Sequence, residues 1–215
     1  MTNSAQRRVA SVARVIGCSG WLPCVRIVTP EQMRAASADP LMPASSMIYN
    51  RDKSGDLWVT EEVGDGTLVH ELTHHLLKTS PVAATYPHPG SDVDGHGALF
   101  AALCWALLGR AHVPLEDGPG DYDLGRCRRP GDRPATQEEE RWARRWVGHA
   151  ASITGSAESL AAVAICDYRR WWRWRRACKG LAGPLRLALA VAALLAAPAG
   201  LAAAVRFVTA LRWRY

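Results

Sequence analysis

The sequence predicts an α+β fold, a small domain built on an antiparallel hairpin with helices packed against it. Three observations support this. Two strand-like runs, SSMIYNR (45–51) and DLWVTEE (56–62), flank the turn Asp52-Lys53-Ser54-Gly55, with glycine where a positive φ is wanted. TLVHELTHHLLK (67–78) sets Leu68, Leu72 and Leu76 four apart on one helical stripe, widened by Val69 and Leu77. AALCWALLG (101–109) is strongly apolar, as a buried helix would be.

The remaining elements follow in order along the chain. Residues 7–16 suit a short helix, Trp21 to Val28 a strand, and Glu31 to Ala38 a second short helix. In the hairpin, Trp58 and Val59 fall on opposite faces. Asp65 or Thr67 is placed to cap the helix over 67–78, and Pro81 ends it. A loop rich in Pro, Gly and Asp (81–93) leads to a second helix, with Asp94 as its N-cap and Gly109 as its stop. Residues 114–135 read as a linker dominated by Pro, Gly and charge. Residues 136–148 read as a helix with acids in its first turn and arginines later, which suits the helix dipole. Another helix is expected over 157–176.

Composition bounds the function. The chain has 215 residues, 48% of them apolar and 21% charged, which excludes a wholly disordered polymer. Its formal charge of +6 is unevenly spread. Residues 166–215 hold ten Arg/Lys and one acid, whereas 41–125 hold four basic and twelve acidic residues. The middle of the chain is therefore acidic and the positive charge lies in the tail. The six cysteines form no CxxC pair, so a zinc ribbon is not indicated and reduced thiols are expected. Arg14 interrupts the first apolar run, and no signal peptide is expected.

One motif points to chemistry. His70-Glu71-Leu72-Thr73-His74 is HExxH inside the amphipathic helix. Residues four apart on a helix share a face, so His70 and His74 can present two imidazole nitrogens to one Zn²⁺. Glu71 lies beside them, where a carboxylate can take a proton from water at an open coordination position. Successive helical residues are rotated by about 100°, which turns His75 away from His74, beside the site or at the surface.

Zinc needs a third protein ligand. The extended HExxHxxGxxH pattern would place it at position 80, which is Ser80. The remaining candidates are His88, Asp92, Asp94, His96, His112 and Glu116. The sequence favours His96, at the start of a helix between Gly95 and Gly97, which permit close backbone approach. Phe100 follows four residues later, so it can pack into the core while His96 faces the metal.

HELTHH followed by Gly95-His96-Gly97-Ala98-Leu99-Phe100 resembles the SprT-like zinc metallopeptidases, the group that includes Spartan. The resemblance covers roughly residues 45–110. It implies a small α+β zincin in which His70, His74 and His96 bind zinc and Glu71 is the catalytic base. Two features depart from that family: no C-terminal zinc ribbon follows, and the presumed catalytic region is acidic. DNA affinity comes mainly from Lys and Arg neutralising phosphates, so nucleic acid is not an expected partner of this region.

The tail adds a second expectation. Residues 187–205 are nineteen without a charge, ten of them Ala, five Leu and two Val. As a helix they would span roughly 28 Å, close to a hydrocarbon core of ~30 Å. Pro198 and Gly200 weaken the segment. Before it, Tyr168 to Arg176 interleaves tryptophan and arginine, as a belt at an anionic leaflet does. Seven Lys/Arg on that flank against three on the other place the catalytic domain in the cytoplasm. The same run also suits single-stranded nucleic acid, by stacking plus charge.

The sequence thus predicts a metallopeptidase domain over 1–113, a linker over 114–135 and a helical basic, Trp-rich juxtamembrane region over 136–180. A candidate transmembrane helix (187–205) and a basic tail (206–215) follow. The expected activity is zinc-dependent hydrolysis of peptide bonds in protein or peptide substrates, membrane-associated through 187–205. The other readings are a soluble cytoplasmic enzyme, a Spartan-like DNA-associated protease, and a non-catalytic zinc-binding membrane scaffold. Tyr86 and Tyr122 are candidate oxyanion donors, and the sequence selects neither.

Overall fold

The structure is a computed structural model; it describes residues 4–18, 20, 22–36, 45–49, 55–82, 96–114 and 135–195. Two compact units divide the chain, Met1–Asp167 and Tyr168–Tyr215. The whole is mostly helical with a small sheet, loosely α+β.

The first unit opens with α1 (Ser4–Ile16), whose Ala5, Val9, Val12, Ala13 and Ile16 form one buried stripe. Its end is a Schellman turn. Gly17 takes φ +84°, Cys18 N donates to Ala13 O at 2.8 Å, and Gly17 N donates to Arg14 O at 3.1 Å. Strand β1 (Cys24–Ile27) and α2 (Pro30–Ala36) come next. Helix α2 starts in a reciprocal cap: Gln32 N donates to Thr29 Oγ1 and Thr29 N donates to Gln32 Oε1.

Strands β2 (Ser45–Tyr49) and β3 (Gly55–Val59) complete a three-stranded sheet in the order β1-β3-β2. β2 runs antiparallel to β3, pairing Met47 with Leu57, while the turn residues 50–54 lie outside the described residues. β1 runs parallel to β3, pairing Val25 with Leu57, a pairing the sequence did not predict. Leu57 and Val59 are fully buried and Trp58 between them is half-buried, the alternation of a strand with one face on a core.

Helix α3 (Asp65–Thr79) packs on α1, on α4 (Ala98–Ala111) and on β2. Its N-cap is Gly64, with no side-chain cap, so neither Asp65 nor Thr67 plays the expected part. Asp65 instead lies in the first turn and accepts from Arg8 Nε at 2.6 Å, tying α1 to α3.

Helix α4 begins at Ala98 behind Gly97, which is its N-cap in place of Asp94. It also passes through Gly109 to Ala111. His112 takes the left-handed position at φ 55°, and Val113 N closes the turn on Leu108 O at 3.0 Å.

The first unit extends past residue 113. α5 (Gln137–Ala150) packs on α4, with Arg144 over the Trp105 ring, and its Trp142, Ala143 and Trp146 are buried. Its start is a full capping box: Glu139 N donates to Thr136 Oγ1, and Thr136 N donates to Glu139 Oε2 at 2.7 Å. Helix α6 (Ala157–Leu195) begins in this unit with Ala157, Leu160, Ala161, Ala164 and Ile165 fully buried. Arg110 of α4 binds three carbonyls at once, Ile16 O and Gly155 O through Nη1 and Ile153 O through Nη2. Ala157 N donates to Gly17 O at 2.9 Å, so α1 and the start of α6 meet.

None of the five described cysteines is in a disulfide. Burial, reinforced by the Glu158 carboxylate, pushes the Cys18 thiol up to about 12, so it stays protonated and unreactive at neutral pH.

In the second unit, α6 stacks Tyr168 on Trp171, with ring centroids 5.6 Å apart, and lays Arg175 over both Trp171 and Trp172. Arg170, Arg173, Trp174 and Arg176 are exposed. Among the described residues no helix is long and apolar enough to cross a membrane. Of the candidate span, 187–195 continue α6, and 196–205 lie outside the described residues, as do the tail 206–215 and linker residues 115–134.

Candidate metal centre

Helix α3 is enclosed on almost every side. Leu68, Val69, Leu72 and Leu77 are fully buried, and the polar residues His70, Glu71, Thr73 and His75 are buried among them. Thr73 satisfies its hydroxyl internally, donating to Val69 O at 2.7 Å, and Thr79 does the same to His75 O. A rigid helix one turn long between His70 and His74 brings the two rings to a centroid separation of 5.0 Å.

The third histidine comes from a different segment. His96 stands just before Gly97, the N-cap of α4, and turns its ring toward α3. Its Nε2 lies 3.1 Å from His70 Nε2 and 3.2 Å from His74 Nε2. A ring nitrogen holds either a proton or a lone pair. His96 Nε2 therefore cannot donate to one neighbour and accept from the other. A cation between the rings gives all three lone pairs one shared partner, so His70, His74 and His96 form a group able to hold a metal ion. His70 is buried and the other two are half-buried, which leaves the group a way to solvent.

One aromatic ring underlies all three. Phe100, 1% exposed, lies 4.3 Å from the His74 ring centroid and 4.9 Å from those of His70 and His96. The spacing from His96 predicts that Phe100 packs into the core while His96 faces the metal. The ring is in the core, yet it also touches every histidine of the group. The four-residue spacing from His96 was the available signal, and its reach across to α3 was not.

The other expected site residues are placed as follows. Glu71 is buried in α3, one residue after His70 and three before His74. His75 is 2% exposed, so of the two places expected for it the surface is ruled out, because α3 has almost no solvent face there. His112 is exposed at the end of α4, where it serves as the left-handed cap, and is not part of the group. His88, Asp92, Asp94 and Glu116, with Tyr86 and Tyr122, lie outside the described residues. Compared with family models, curated proteins and solved structures, the chain matches none.

Proposed function

We propose that this chain is a zinc metallopeptidase of SprT-like type, attached to a membrane through its C-terminal segment. The carrying observation is the convergence of three Nε2 atoms from two segments, 22 and 26 residues apart in sequence. Zinc bound by imidazole at about 2.0–2.1 Å in a tetrahedron separates its ligand nitrogens by about 3.3 Å. The spacings of 3.1 and 3.2 Å lie close to that edge. Three histidines with a fourth position open to solvent are also the ligand count of catalytic rather than structural zinc.

Zinc held by His70, His74 and His96 would act as a Lewis acid, lowering the pKa of water and polarising a carbonyl. The chain's own part falls to Glu71, which takes the proton from water and later gives it to the leaving amine. A site serving structure alone has no use for a buried carboxylate beside its ligands. Glu71→Gln should keep bound zinc and the fold while cleavage of an unstructured protein substrate falls about 10²-fold or more. Zinc-loaded Glu71→Gln with undiminished cleavage removes Glu71 from that role.

Membrane attachment rests on the uncharged run 187–205 and on the outward Arg170, Arg173, Trp174 and Arg176 just before it. The fuller topology proposed keeps the catalytic unit in the cytoplasm, since that flank holds more Lys/Arg. The full chain should pellet with membranes and resist alkaline carbonate. Complete release by carbonate would reduce the contact to a peripheral one.

A further inference from the structure

We propose that Phe100 is a positioning residue that holds the three histidines in their metal-ready arrangement before any metal arrives. The inference rests on the metal reading of the histidine group and deepens it. His70 and His74 belong to α3, but His96 sits ahead of α4, outside any helical hydrogen-bond ladder of its own. Side chains from separate segments converge only if something fixes both their rotamers and the spacing of their backbones.

Phe100 is placed to do both. It belongs to the first turn of α4, four residues beyond His96, and its ring is almost wholly buried. It meets the His74 ring near-parallel, tilted 30°, and meets the His70 and His96 rings edge-on at 67° and 87°. Offset-stacked and T-shaped contacts are the two favoured aromatic geometries, and one ring supplies both kinds here. Each histidine is thereby blocked from swinging its ring toward the core. The ring thus acts as a floor, and the ordering it imposes is completed during folding rather than during metal uptake. Groups that orient metal ligands without touching the metal typically change affinity by about 10–100-fold when removed.

The full chain tests this with zinc and cobalt alone. Zinc affinity is measured by chelator competition, cobalt coordination by its visible absorption, and the stability of the metal-free protein by thermal unfolding. Phe100→Leu keeps an apolar side chain but loses the planar face. It should fold, bind zinc about 10-fold or more weakly, and give an altered cobalt spectrum. Leu107→Ala, in the same helix and fully buried, is the control for lost packing. It should lower the unfolding temperature yet leave zinc affinity within about threefold and the cobalt spectrum unchanged. Phe100→Met serves as a second apolar replacement should Phe100→Leu not fold. Wild-type affinity and spectrum in a folded Phe100 variant overturn the inference. So does a loss of affinity in Leu107→Ala equal to that in Phe100→Leu, which would make the effect one of stability alone. A wild-type chain that takes up neither metal overturns the metal reading itself, a failure distinct from both.

Discussion

Helices α3 and α5 are of similar length and lie in the same unit, yet they are specified in opposite ways. α5 announces itself locally. Thr136 and Glu139 close a reciprocal cap, Glu140 and Arg144 pair at 2.8 Å one turn apart, and a single face built on Trp142, Ala143 and Trp146 is buried. α3 has no side-chain cap at Gly64, and ten of its fifteen residues are buried, so little of its surface distinguishes inside from outside. The difference reflects what each must do. A helix that only packs can leave one face to water and let its ends be set by neighbours in sequence. A helix that offers ligands to a buried site must be surrounded, and tertiary contacts then set its position.

Two substitutions sharpen that contrast, the larger effect first. Leu72→Ala empties a fully buried position in α3 and should cost about 2–5 kcal/mol in denaturant-induced unfolding. Thr136→Ala removes the α5 cap and should cost about 0.5–2 kcal/mol, because the buried Trp face still holds the helix in place. Equal losses, or a larger one at Thr136, would break the comparison by showing that α5 too depends chiefly on its local start.

How far the sequence could be read follows the same division. The HExxH helix, the nearness of His96 to it and the helix after residue 136 are legible, because periodicity, residue type and charge placement all act within a few positions. What escaped was non-local. The parallel pairing of Val25 with Leu57 joins segments far apart in the chain and leaves no mark on either. The end of α4 was read at Gly109 because glycine usually takes the left-handed position, whereas His112 takes it here. Such a residue adopts that conformation at a penalty of about 1–2 kcal/mol, which sequence alone gives no reason to expect. The sequence predicts a domain over 1–113, and the first compact unit is longer, Met1–Asp167. The buried Trp142 and Trp146, and Trp146 Nε1 donating to Asp167, carry it to Asp167. Tryptophans flanked by arginine resemble a surface until the packing partner is known.

The arginine that grips three carbonyls has a consequence for how the protein is made. Helix α1 is translated well before the groups that secure its far end, so its stripe of Val9, Val12 and Ile16 at first lacks them. The groups that secure its far end, Arg110 and the amide of Ala157, are translated much later. At about 5–20 residues per second, the interval before Ala157 emerges is roughly ten to thirty seconds. During that window the nascent chain carries an apolar helix with no native partner for its end, so its yield in cells should depend on chaperones that hold α1 until Arg110 and Ala157 have been synthesised.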